Sequence, residues 1–449
     1  MKTGRIVILG NGGAAIHGAQ AARKSGFSGE LHMVSDTDKP AFNPMLSPYY
    51  LKGIIPWEAC FPFGHSFYTQ YDITCHFDSP VESLDPVNQE IGLSKGTRLP
   101  YDRCLVATGA SPVIPPVPGL RDSSAAYPLR TATSVQNLAK ALSSAKKVIV
   151  LGASLVGLKV AEVLSKRAVK VILLDVVGQV LPRGAHPSSA AYLRSYFEEH
   201  GVDVRLGCTL RGMEGSSEGV TCQFPDDIIE GADFVAVCTG VRPNIDFIDP
   251  GLVDIQQAVL VDDRMQTNSQ NLYAAGDVSQ GYNLSSEKQE WLGTWGNACR
   301  QGRIAGYNLA GKEASYPGSI PQNISPFFDW TYAQLGDTQP QKDHIRSVAL
   351  GDPRKEGHCA LAFEGGVLVG ANLINCTYLA GKLRQTIISK WDWGPYLEES
   401  DKHFTVQGTE SILNNESRSF SALLYAAPRS AHNRKLISKK GFYHGISCH

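Results

Sequence analysis

Arg5-Ile-Val-Ile-Leu9 runs directly into Gly10-Asn-Gly12-Gly13-Ala-Ala15, an apolar stretch that ends in a glycine-rich turn. The same arrangement returns at Lys147-Val-Ile-Val-Leu151, which runs into Gly152-Ala-Ser154-Leu155-Val156-Gly157. A continuous apolar run of this length, bounded by turn residues, reads as a strand buried on both faces, as in a parallel sheet. Where such a strand ends on glycines and opens a helix, backbone N–H groups and the helix dipole can meet a pyrophosphate. Two copies imply two dinucleotides, and electrons passing between them.

The copies also close alike. Tyr101-Asp-Arg-Cys-Leu-Val-Ala107-Thr108-Gly109 is a strand ending in a glycine turn, and Ala232-Asp-Phe-Val-Ala-Val-Cys-Thr239-Gly240 echoes it. This internal repeat is the strongest architectural signal in the chain. In the first copy a helix reads over Ala19 to Lys24. The strand Leu31-His-Met-Val34 follows and leads to Ser35-Asp36, where a ribose-binding acid belongs. In the second, Asp175 closes Val171-Ile-Leu-Leu174, and Val176 and Val177 supply no cation for a 2′-phosphate, so NADH is expected over NADPH. Ser154 replaces the middle glycine, and its side chain is expected to narrow the approach to the phosphate.

Val113-Ile-Pro-Pro-Val-Pro118 reads as a linker, and Asn271-Leu-Tyr-Ala-Ala-Gly276-Asp277 as a strand ending on Gly-Asp. A helix is expected from Trp295 to Leu309, a β-hairpin from Cys359 to Leu373 turning at Glu364-Gly365-Gly366, and an amphipathic helix from Tyr378 to Trp391. From about 396 the pattern dissolves. Arg429, Arg434, Lys435, Lys439 and Lys440 stand there without an acid between them, which favours a solvated tail over a docking arm.

With 449 residues the chain is long enough for two to four domains, and its formal net charge of −1 gives no electrostatic case for nucleic acid or an anionic membrane. No apolar run approaches the roughly 18 residues of a membrane span. The apolar N-terminal stretch stops at Leu9, as a first strand does and a signal peptide does not, so a cytoplasmic location is expected. Ten cysteines are scattered with no C-x-x-C or C-x₄-C pair, which argues for neither a redox dithiol nor a metal or cluster site. Cys104 and Cys238 lie inside apolar runs and read as buried small hydrophobes. Any iron–sulfur chemistry is therefore expected on another polypeptide.

The order of these motifs, from Gly10-x-Gly12 through Thr108-Gly109, the Gly152–Gly157 turn with Asp175, and Gly276-Asp277, resembles the pyridine nucleotide-disulfide oxidoreductase superfamily over residues 4 to 395. Phe42-Asn-Pro-Met-Leu-Ser47 resembles the ferredoxin- and rubredoxin-reductase branch. With Trp57-Glu-Ala-Cys-Phe-Pro-Phe-Gly64, it is also similar to flavin subunits of anaerobic multisubunit oxidoreductases such as phenylglyoxylate dehydrogenase and tungsten aldehyde oxidoreductase.

That resemblance implies an α/β fold with two Rossmann-like dinucleotide-binding domains and an α+β C-terminal interface domain. The FAD domain would span 1–115 and 244–320, the inserted NAD domain 116–243, the interface domain 321–395, and a tail 396–449. FAD would contact Gly10, Gly12, Gly13, Ala15, Ser35, Asp36, Ser47, Ala107, Thr108, Gly109, Gly276, Asp277 and Trp295, with Asp277 holding the ribityl chain. NAD would contact Gly152, Ser154, Leu155, Val156, Gly157, Asp175 and Gly240. Two residues depart from the branch. Pro48 stands where a flavin-side lysine is usual, leaving Lys52 as a displaced substitute, and Lys159 stands where a glutamate often faces the nicotinamide. A cation there would favour a reduced, anionic flavin, so Lys52 and Lys159 are the candidate catalytic residues.

Three functions follow from this resemblance. The first is an NADH:acceptor oxidoreductase with no catalytic thiol, a free-standing ferredoxin or rubredoxin reductase. The second is the same chemistry as the NAD-reducing subunit of a hetero-oligomer, exchanging electrons with an iron–sulfur partner. The third, a thiol-dependent oxidase or peroxidase, needs a low-pKa cysteine beside the flavin. Phe42 to Ser47 contains none and Cys60 lies beyond it, so this reading is rejected.

Overall fold

In a computed structural model, which describes residues 3–216, 219–339, 345–395 and 397, the repeated sequence becomes a repeated sheet. The Arg5–Leu9 strand lies between Glu30–Val34 and Arg103–Val106, flanked by Thr74–His76 and Leu272–Ala274, all parallel. The Lys147–Leu151 strand lies between Lys170–Asp175 and Phe234–Val237, flanked by Val202–Leu206 and Ala126–Pro128, again all parallel. The register repeats as well. Leu9 pairs with Val34 and Val106, and Leu151 with Leu174 and Val237. Gly10 N–H donates to Val34 O at 2.8 Å and Gly152 N–H to Leu174 O at 2.7 Å, so each glycine turn leaves its sheet at the same rung.

Both central strands are buried, which explains their unbroken apolar composition. Shortening Ile8 or Ile149 to alanine would cost about 2–5 kcal/mol. An antiparallel ribbon, Ala110–Pro112 against Val241–Pro243, carries the chain between the two sheets in both directions. Asn244 ties it down, donating from Nδ2 to Thr108 O while its own carbonyl accepts from Thr108 Oγ1, each at 2.9 Å.

A third sheet is antiparallel throughout, in the order Gln322–Phe327, Trp330–Gly336, Val367–Ile374, His358–Glu364, Ile345–Leu350. Leu383 and Ile387 of the Ala380–Ser389 helix are buried against it. The α/β class, the Trp295–Leu309 helix and the hairpin over 358–374 agree with expectation. The first helix starts at Gly13 rather than Ala19, because its opening turn is the glycine turn itself. The Tyr378–Trp391 helix is shorter and begins with a 3₁₀ turn at Thr377–Leu379. Apart from Leu397, the tail with its basic stretch lies outside the described residues. Among the described residues no helix is long and apolar enough to cross a membrane.

Candidate functional site

The strand ends and helix starts of the first sheet converge on a cleft of about 480 Å³. Gly10, Gly12, Gly13, Ser35 and Asp36 line it at one end, and Ala107, Thr108, Gly109, Gly276, Asp277 and Trp295 line it further along. Gly10 has φ +116°, and a Cβ there would lie 2.2 Å from Ala107 O, so the turn admits only glycine. Gly12 differs: it is extended, at φ −100°, and a Cβ would meet nothing within 4 Å. The space beside it is open to a ligand, and the helix it opens has no side-chain cap on its first N–H groups. These uncapped donors beside an open cradle fit the pyrophosphate of a dinucleotide.

Asn11 fixes the wall. Its Nδ2 donates to Lys39 O at 3.0 Å, and its Oδ1 accepts from Tyr68 Oη at 2.8 Å, which holds the turn against the loop that brings Lys39, Phe42 and Met45 to the cleft. Asp277 is anchored by a residue that sequence reasoning missed. Arg130 Nη2 donates to Asp277 Oδ2 at 2.6 Å and its Nε to Ala110 O at 3.2 Å, and the Asp277 side chain is 9% exposed. A guanidinium has five N–H donors, so others remain for an anion in the cleft. Arg130 belongs to no local motif. It arrives because the Ala126–Pro128 edge strand of the second sheet ends beside the first. Ala15 and Ser47 are not at the cleft. Ala15 is buried in the core, and Ser47 is buried with an Oγ that has no hydrogen-bond partner.

At the second turn, Gly152 has φ +107°, and a Cβ at Gly157 would lie 1.8 Å from Gly152 O, so helix and strand touch there. Ser154 caps the helix. Its Oγ accepts from Gly157 N–H at 3.3 Å and donates to Cys238 O at 2.8 Å, so the hydroxyl is held against the strand end. Asp175 accepts from Ala153 N–H at 2.8 Å and from Val177 N–H at 2.9 Å, bracing the turn from the neighbouring strand. Val156, Val176 and Val177 are exposed around it, as is Gly240 at φ +103°. Since Val176 is 67% exposed, Val176→Arg should leave stability unchanged while providing a partner for a 2′-phosphate. Wild-type flavin should be bleached by NADH at far lower concentration than by NADPH. Anaerobic titration should show that gap closing in the variant, and equal bleaching of wild type by both nucleotides would overturn the preference.

Lys52 and Lys159 come together, away from the cleft. Lys52 Nζ pairs at 2.7 Å with Glu162, a fully buried carboxylate that also receives Lys166 at 3.1 Å and Phe328 N–H at 2.9 Å. Lys159 is buried 5.5 Å from the Phe327 ring centre, and burial, with Lys52 nearby, pulls its ammonium down to about 8. The thiols are poorly set up for nucleophilic work. Burial raises Cys60, with Glu58 adding to the effect, and pushes Cys299, which packs behind Gly13, up to about 11. Cys104 and Cys238 are buried as expected, and burial raises both.

This geometry has counterparts. The chain is 27% identical over 395 residues to NADH-dependent phenylglyoxylate dehydrogenase subunit epsilon of Aromatoleum evansii, covering 87% of this chain and 93% of that one. It is 31% identical over 345 residues to an NADH oxidase of Methanocaldococcus jannaschii, covering 74% and 76%. Among solved structures, putidaredoxin reductase in covalent complex with putidaredoxin matches with a TM-score of 0.83 at 24% identity, over 95% of this chain and 99% of that chain. A water-forming NADH oxidase from Lactobacillus brevis, bound to NADH, matches at 0.81 and 22%, over 87% and 91%. At these identities the structures speak to the fold alone. Residues 4–302, which hold both glycine turns and Gly276-Asp277, match the family model for pyridine nucleotide-disulphide oxidoreductases, and the chain belongs to that family.

Proposed function

We propose that this FAD-dependent NADH oxidoreductase exchanges electrons with an iron–sulfur partner chain, as the NAD-reducing subunit of a larger complex. The observation that carries the reading is the pairing of two separately built nucleotide turns, at Gly10–Ala15 and Gly152–Gly157, in a chain whose described thiols are all free and none of which lines the cleft. In this reading residues 1–115 and 244–320 hold FAD, 116–243 hold NAD(H), and 321–395 form the C-terminal domain. Bound FAD supplies the exchange between two-electron and one-electron chemistry. The chain contributes position and charge: Gly10, Gly12 and the uncapped helix start receive the pyrophosphate, Asp36 the adenosine ribose, and Asp277, held by Arg130, the ribityl hydroxyls. At the second turn Asp175 receives the ribose of NAD(H).

Near full-length similarity to a named subunit of a multisubunit dehydrogenase supports the complex over a free-standing reductase. Native purification separates the two. The complex reading expects a co-purifying chain with iron–sulfur absorbance, whereas a yellow protein that stays alone and reduces a rubredoxin or ferredoxin would favour the reductase.

A further inference from the structure

The nucleotide turn at Ala153 is held by the C-terminal sheet through a short chain of hydrogen bonds. Tyr332 Oη, Thr338 Oγ1 and Asn372 Nδ2 all donate to one acceptor, Gly184 O, at 2.7, 2.9 and 2.9 Å. These three residues are 1%, 1% and 0% exposed. Asn372 Nδ2 also donates to Tyr332 Oη at 3.0 Å, and its Oδ1 accepts from His186 N–H at 2.5 Å, so the carboxamide is used at both ends. Gln339 Nε2 reaches Pro182 O in the same segment. A carbonyl has two lone pairs, and three buried donors on one oxygen over-determine its position.

Gly184 closes a tight turn whose N–H and that of Ala185 both donate to Leu181 O at 2.9 Å. Leu181 is left-handed, at φ +49°, a conformation that costs a branched residue about 1–3 kcal/mol and persists only where the surroundings impose it. What this turn delivers is the Leu181 N–H, which donates to Ala153 O at 2.9 Å. Because the peptide is planar and trans, fixing Ala153 O fixes the opposite direction of the Ser154 N–H, at the start of the helix. Asp175 holds the N–H of the same Ala153.

We propose that Tyr332, Thr338 and Asn372 are positioning residues for the nicotinamide dinucleotide. By clamping Gly184 O they hold the Leu181 turn, which in turn sets the backbone that receives the pyrophosphate. This rests on the reading of Gly152–Gly157 as the NAD(H) turn.

The test uses FAD-replete protein with NAD⁺ as the probe, in calorimetry without turnover. Tyr332→Phe with Thr338→Val removes two donors and keeps the packing volume. The dissociation constant for NAD⁺ should rise on the order of fivefold to twentyfold, about what one or two lost hydrogen bonds give. FAD content and the limiting rate of flavin bleaching at saturating NADH should stay within about twofold. Thr338→Ser, which keeps the hydroxyl, should bind as wild type, and Thr338→Val alone serves if the double variant does not fold. Unchanged NAD⁺ affinity overturns the proposal, as does a parallel fall in FAD affinity and melting temperature. Val176→Arg tells whether the underlying reading falls too. If that variant changes the NADH to NADPH ratio while the donor variants change nothing, the turn binds nucleotide and only the clamp is wrong; if neither responds, both ideas fail.

Discussion

Asp277→Ala should yield a folded protein that loses its flavin on gel filtration. The carboxylate sits in the cleft 2.6 Å from Arg130, and in the proposed reading its substitution removes the acceptor for the ribityl hydroxyls while leaving that guanidinium without its carboxylate partner. A hydrogen bond to a charged group is worth about 1.5–3 kcal/mol, so FAD affinity should fall by a factor on the order of 10 to 100 from this contact alone. Asp277→Asn, which keeps an acceptor but not the charge, should fall between. The 450 nm absorbance per chain after gel filtration reads the result, and full retention in the alanine variant would remove Asp277 from the site.

Gly12→Val should separate fold from cofactor. Since Gly12 is extended and a Cβ meets nothing within 4 Å, the apoprotein should still fold, losing only the about 1 kcal/mol that an apolar residue costs at a helix N-cap. The valine would instead fill the space beside the uncapped helix start, and FAD binding should be abolished. Gly10→Val is the contrast: with φ +116° and Ala107 O 2.2 Å from its Cβ, it should not fold. Thermal melts and FAD titration of refolded Gly12→Val decide the matter. Stoichiometric FAD in that variant would place the pyrophosphate elsewhere.

These contrasts show which parts of the site were legible in the chain. The glycine turns, Ser35-Asp36, Thr108-Gly109 and Gly276-Asp277 could be read as one set because each combines a strand end with its neighbouring turn, so local sequence declares the position. The structure brings them to one cleft. Arg130, Asn244 and Asn11 could not be read that way. Each is an ordinary polar residue until a distant strand or loop is laid beside it, as Arg130 is by the Ala126–Pro128 edge. Lys52 and Lys159 show the reverse. Their candidacy rests on position relative to a resembling branch, whereas the structure commits Lys52 to Glu162 and packs Lys159 beside Phe327. Ser154 caps the helix and turns its hydroxyl back to Cys238 O, an arrangement set by the capping position that the glycine pattern alone does not declare. In the C-terminal domain the Gln322–Phe327 and Trp330–Gly336 strands had no clear period, since Pro326 and the mixed burial of both faces blur the alternation.

In the proposed reading, electrons exchanged with NAD(H) rest on the flavin alone, because no described thiol lines the cleft and burial raises those at Cys60 and Cys299. Anaerobic titration of the FAD-replete chain with NADH measures this directly. The endpoint should come at two electrons per FAD, without the long-wavelength absorbance of a thiolate beside oxidised flavin. Uptake of four electrons by the isolated chain, or the appearance of that absorbance, would contradict it.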